Sequence, residues 1–135
     1  MFVIDASIVL AWCLDDEASE LADLAIERLL AEGGVAPAHW PLEVANGLRA
    51  AERRGRIDEP ALRRLRPRLT QLPVDIAPIE LSTALGVIES FRTHSLSVYD
   101  AAYLDLAEFR ALGLATVDAQ LAEACRVAGV ALITA

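Results

Sequence analysis

The sequence predicts an α/β fold, a central parallel sheet of four to five strands with helices on both faces, and two observations carry that prediction. Short apolar runs alternate with longer segments of helical spacing from one end of the chain to the other. Glycines and prolines fall between them as punctuation. Strand–helix alternation of this kind implies parallel strands, because parallel neighbours need crossover connections.

Taken in order, Phe2 to Ile4 reads as a buried strand that stops abruptly on Asp5. Helical spacing covers 7–14 and 17–32, and Gly33-Gly34 ends the second segment before a strand at Val35 to Ala36. The segment 40–54 carries Pro41 in its first turn, where the missing N–H costs nothing, and Gly55 closes it. A helix over 59–71 contains Pro67, expected to kink or end it. Pro73 precedes a strand at Val74 to Ile76, and after Pro78 come helices over 79–91 and 98–111. Beyond Gly113 lie a strand at Leu114 to Val117, a helix over 119–128, Gly129, and a last strand at Val130 to Ile133.

The 135 residues suit one domain, 1–135, with a single core. A composition 55% hydrophobic but only 5% aromatic makes that core aliphatic. No run approaches the roughly 18 apolar residues of a membrane helix, and the N-terminus lacks a signal peptide's basic-then-apolar layout, so a cytoplasmic protein without membrane contact is expected. Cys13 and Cys125 read as buried thiols, and His39 and His94 stand isolated, which disfavours zinc.

A formal charge of −8 argues against simple electrostatic capture of nucleic acid. The average conceals a segregation: all 12 basic residues are arginine, and eight of them lie between Arg49 and Arg68. Arginine's planar fork suits phosphate, so Arg49, Arg53, Arg54 and Arg56 are candidates for contact with RNA or a protein partner, against the plainer reading of a solvated helix face.

Four carboxylates occur where apolar segments meet helices: Asp5, Glu43, Asp100 and Asp118. Ligands of parallel α/β sheets bind beyond the carboxyl ends of the strands, and Asp5 and Asp118 would share that edge if their strands are neighbours. Each acid has a plainer role to set against this. Asp118 can cap the helix over 119–128, Ser97-x-x-Asp100 fits a capping box, and Glu43 in a first turn meets the helix dipole. Asp5 has the weakest such explanation, since Ser7 alone can cap its helix. Asn46 shares a face with Glu43, and Thr116 is placed to bond Asp118 or a water. Converged carboxylates repel unless a cation shares them, and an all-oxygen donor set selects Mg²⁺ or Mn²⁺.

The ordered motifs Val3-Ile4-Asp5-Ala6-Ser7, Pro41-Leu42-Glu43-Val44-Ala45-Asn46, Leu96-Ser97-Val98-Tyr99-Asp100-Ala101-Ala102-Tyr103 and Ala115-Thr116-Val117-Asp118 resemble those of the PIN-domain ribonucleases, specifically the VapC toxins of toxin–antitoxin pairs. The resemblance implies a PIN-like three-layer α/β/α fold and an endoribonuclease that hydrolyses RNA phosphodiester bonds with a metal-activated water. It further implies Asp5, Glu43, Asp100 and Asp118 as catalytic and Mg²⁺- or Mn²⁺-binding residues, with Ser7, Asn46 and Thr116 in support. A homodimer silenced by a VapB-like antitoxin is implied as well. Leu121 departs from the aromatic frequent at that place, and no further aspartate follows Asp118 closely, which puts a complete second metal site in doubt. No histidine stands near the motifs to act as general base.

Rivals fare worse. Phosphatase and receiver domains use a lysine beside the phosphoryl group, and a P-loop NTPase needs a Gly-rich loop ending in Lys-Ser or Lys-Thr; the chain has no lysine. A catalytically inactive PIN-like protein-interaction module is the alternative that the residues leave open.

Overall fold

A computed structural model describes residues 1–17 and 19–134. The strands are β1 (Phe2–Ile4), β2 (Gly34–Pro37), β3 (Val74–Ala77) and β4 (Leu114–Ala115). The helices are α1 (Ala6–Cys13), α2 (Glu20–Glu32), α3 (Trp40–Arg53), α4 (Glu59–Thr70), α5 (Leu81–His94), α6 (Val98–Arg110) and α7 (Ala119–Ala128). The sheet is parallel in the order β3-β2-β1-β4, an α/β fold as expected.

Alternation along the short strands divides the core in two. Phe2, Ile4, Ala36 and Ala115 face one way, against Ile8 and Val9 of α1, Ala22, Ile26 and Leu29 of α2 and Leu48 of α3. Val3, Val35 and Leu114 face the other way, against Val87 of α5, Tyr103 and Leu104 of α6, and Leu121 and Cys125 of α7. Strands buried on both faces have no polar alternation to show, hence their continuously apolar reading. Helix α4 is peripheral: none of its residues is fully buried, and Leu62 and Leu69 only lean on the first core.

Several boundaries differ from expectation, each for a local reason. The helix foreseen over 17–32 begins at Glu20, capped by Ser19, and residues 15–17 form a separate 3₁₀ turn. Pro67 does not end α4, which runs on to Thr70. The fifth strand reduces to a single bridge between Leu114 and Leu132, and β4 stops at Ala115, level with the end of β1, whose last bond to it runs from the Asp5 N–H to the Ala115 carbonyl before α1 begins at Ala6. Both cysteines are free, and burial lifts each thiol to about 11, which makes them poor nucleophiles at neutral pH. Among the described residues no helix is long and apolar enough to cross a membrane.

Candidate active site at the carboxyl edge of the sheet

β1 carries β2 on one side and β4 on the other, so the winding direction reverses between β1 and β4. Asp5 leaves the sheet at that crevice, its backbone N–H bonded to the Ala115 carbonyl at 3.0 Å. It occupies the N-cap position of α1 without making a side-chain cap bond, and it is only 5% exposed. The expectation that Ser7 caps α1 is corrected: the helix already starts at Ala6, and Ser7 turns back to the acid.

The hydroxyls of Ser7 and Thr116 each donate to Asp5 Oδ2 at 2.6 Å. With their single protons so committed, both serve as acceptors elsewhere, Ser7 from the Val117 N–H at 3.1 Å and Thr116 from the Asp118 N–H at 3.0 Å. Thr116 therefore bonds the backbone of Asp118 and the side chain of Asp5. Asp5 Oδ1 has no hydrogen bond among the described residues. Burial raises the Asp5 pKa; the two hydroxyls oppose that rise, and the charges of Glu43 and Asp100 add to it.

Glu43 lies in the first turn of α3, half-buried. Tyr103 of α6 donates its phenol to Glu43 Oε1 at 2.7 Å, and His39 Nε2 stands 3.0 Å from the same oxygen. That nitrogen also faces the Tyr99 carbonyl at 3.0 Å. Both neighbours are acceptors, so Nε2 carries a proton. Burial pushes the Glu43 carboxyl upward, but the bonds from His39 and Tyr103 outweigh it and leave the pKa below the ordinary glutamate value.

Asp100 sits in the first turn of α6, where Ser97 caps the helix by accepting the Asp100 N–H at 3.1 Å. Burial raises its pKa, and the charges of Asp118 and Glu43 raise it further. Asp118 is exposed and caps α7 through Oδ1, which accepts the Leu121 N–H at 2.8 Å. The four acids thus share one electrostatic neighbourhood, with Asp5 feeling Glu43 and Asp100, and Asp100 feeling Glu43 and Asp118. Among the described residues none of them pairs with an arginine, and no three His, Cys, Asp or Glu side chains close into a ligand cluster.

The structure brings Ser7 and Thr116 onto Asp5 but not Asn46, which is exposed on α3 without a hydrogen bond among the described residues. Arg49 pairs with Glu52, and Arg56 is held across the surface by Asp16 and Glu17. Arg53 and Arg54 make no ion pair among the described residues. They end α3 ten or so residues after Glu43, about 15 Å along the axis at 1.5 Å per residue.

Two residues of the site escape the sequence reading. His39, expected to be isolated and with no histidine near the motifs, contacts Glu43, a correction that its i, i+4 spacing to that residue foreshadows. Tyr103 is three residues after Asp100 on the same helix face, and it is fully buried.

An all-oxygen donor set fits a hard divalent cation, with a buried aspartate keeping one oxygen unbonded and no arginine counter-charge at hand.

In comparisons with known proteins, the family described as "PIN domain" matches residues 2–134. No curated protein matches the sequence. Among solved structures, PAE2754 from Pyrobaculum aerophilum is 26% identical, with a TM-score of 0.66 over 91% of this chain and 84% of its own. VapC20 from Mycobacterium tuberculosis, described as a sarcin–ricin loop cleaving toxin, is 17% identical, with a TM-score of 0.63 over 92% of this chain and 95% of its own. That second likeness concerns the fold alone.

Proposed function

The chain belongs to the PIN domain family, and from that premise we propose that it is an endoribonuclease of the VapC type, the toxin of a toxin–antitoxin pair, dependent on Mg²⁺ or Mn²⁺. The observation that carries the reading is the buried, counter-charge-free Asp5 with Glu43 and Asp100 within electrostatic reach and Asp118 beside Asp100. Asp5, Glu43, Asp100 and Asp118 would hold the ion. When bound, it supplies a water acidic enough to attack phosphorus near neutral pH and neutralises charge on the scissile phosphate.

The chain's own residues supply the rest. Ser7 and Thr116 fix Asp5 through one oxygen and keep the other open. His39, with its Nε2 proton bonded to the Tyr99 carbonyl and Glu43 Oε1 at 3.0 Å from the same nitrogen, is a donor at that atom and not a base. Arg53 and Arg54, about 15 Å from Glu43 along α3, suit the backbone of a bound single strand or an acidic partner. Cleavage leaves a 5′-phosphate and a 3′-hydroxyl. RNA as substrate class follows from the resemblance of the four motifs to those of the PIN-domain ribonucleases. We place the protein in the cytoplasm as a homodimer with a VapB-like antitoxin as partner. A groove of about 670 Å³ between α3 and α4, apolar at Val44, Leu48 and Leu62 and edged by Arg49, Arg63 and Arg66, supports a protein partner.

The caps made at Asp118 and Ser97 favour a second reading, an inactive interaction module whose acids only start helices. One assay separates the two. Purified protein incubated with RNA should cut in Mg²⁺ or Mn²⁺ and stop in chelator or as Asp5→Asn; equal cutting by that variant, or cyclic 2′,3′-phosphate products, would sink the nuclease reading.

A further inference from the structure

Glu43 and Asp5 divide their oxygens in the same way. Each engages one oxygen and keeps the other without a hydrogen bond among the described residues: Asp5 Oδ2 accepts from Ser7 and Thr116, and Glu43 Oε1 accepts from Tyr103 with His39 Nε2 in contact at 3.0 Å. The Asp5 pair lies beside it in the β1–β4 crevice. The Glu43 pair comes from elsewhere, Tyr103 from α6 and His39 from the residue before α3.

We infer that Tyr103 and His39 are positioning residues that lock Glu43 through Oε1, so that Oε2 alone is offered to a divalent cation. The inference rests on the metal-dependent reading and adds the source of its geometry. Tyr103 is suited to this task because its ring is wholly buried, so the phenol has one fixed position. His39 is braced in turn: its ring lies edge-on to Tyr103 with centroids 5.1 Å apart, tilted against Tyr99 at 5.4 Å, and tied to the Tyr99 carbonyl. A free glutamate in a first helical turn samples several rotamers, and a fixed bond at Oε1 restricts that choice. Bonds from outer groups that fix a carboxylate ligand commonly change metal affinity about 10–100-fold.

The test is Mn²⁺ alone, titrated calorimetrically into the full chain as wild type, Tyr103→Phe, His39→Ala, His39→Gln and Glu43→Gln, with metal-free melting recorded for each. Tyr103→Phe and His39→Ala should each weaken Mn²⁺ binding at least tenfold in folded protein. His39→Gln, whose amide can still donate, should recover part of the loss. Should Tyr103→Phe fail to fold, the two His39 variants decide the matter, since that side chain lies at the surface of the core. Wild-type Mn²⁺ affinity in the folded variants, whatever their melting temperatures, overturns the positioning role alone. A wild type that binds no Mn²⁺ overturns the metal reading and this inference with it.

Discussion

Thr116 donates its hydroxyl to Asp5 Oδ2 at 2.6 Å across the β1–β4 pair, joining residues 111 apart in sequence. Thr116→Val keeps the shape and removes the bond, and it also strips the Asp118 N–H of its acceptor. Hydrogen bonds to charged groups contribute about 1.5–3 kcal/mol, so unfolding in urea at pH 7 should show a loss of that order. A change under about 0.5 kcal/mol, the scale of neutral surface substitutions, would mean that Ser7 alone suffices.

Two neighbouring acids should respond to neutralisation in opposite directions. Burial holds the folded pKa of Asp5 above its ordinary 3.8. Its contribution therefore favours the fold below that value and is lost as pH rises through the raised folded pKa. At pH 7 without metal, Asp5→Asn should melt higher than wild type, and the gap should close as the pH is lowered toward 4. Glu43 has its folded pKa below the ordinary 4.5, so its contribution is present above that value and lost as pH falls through the lowered one. Glu43→Gln should accordingly melt lower than wild type at pH 7. Thermal melts across the pH range check both signs, and a common sign for the two variants would contradict the environments described.

Metal should reverse the order of Asp5 and its amide. Ligand binding to the folded state alone stabilises it by about 2.7 kcal/mol at a free concentration one hundred times Kd. Mn²⁺ should raise the melting temperature of the wild type and leave Asp5→Asn unmoved, and EDTA should erase the rise. An equal response from both proteins would place the ion elsewhere.

Charge reversal at Arg53 and Arg54 tests the end of α3 without disturbing the Arg56 ion pairs. If these arginines track a single strand, RNA binding should weaken and the slope of log affinity against log salt should fall by about 0.7 for each phosphate no longer neutralised. Unchanged RNA binding with weakened antitoxin binding would assign them to the protein partner.

Ala111 ends α6 in the left-handed region at φ 53°. An L-residue there carries about 1–2 kcal/mol of strain that glycine avoids, against about 0.5–1 kcal/mol for glycine's extra chain freedom when unfolded. Ala111→Gly should stabilise the protein by up to about 1.5 kcal/mol in urea unfolding, the difference between those two effects, and a clear loss of stability would contradict the strain.

What can be read from the sequence follows the range of the interactions. The caps at Ser97 and Asp118 are local, and both are legible as patterns three residues long. The sheet and its two covered faces follow from apolar runs between helices, because the residues of β1 and β4, and Val35 and Ala36 of β2, meet a helix on one side or the other. The extent of β4 is not legible: Thr116 and Val117 look like strand residues, but β1 gives way to α1 at Ala6 and offers them no strand residue to pair with. Likewise, nothing local says that Tyr103 reaches Glu43, 60 residues away, or that His39 is braced by Tyr99. Pro67 does not end α4, which lies at the edge of the fold, where a helix can tolerate one missing internal bond.

The position of β1 has a consequence in time. It is the first strand to be made, yet it takes its partners from residue 34 on one side and from residue 114 on the other. At the roughly 5–20 residues per second of synthesis, one flank of β1 waits on the order of 4–16 s after the other can be filled. Through that interval Asp5 lacks Thr116 and the Ala115 carbonyl, and Asp118 does not yet exist. On the nuclease reading, the site of a nascent chain is therefore incomplete until the segment carrying Thr116 and Asp118 has been made.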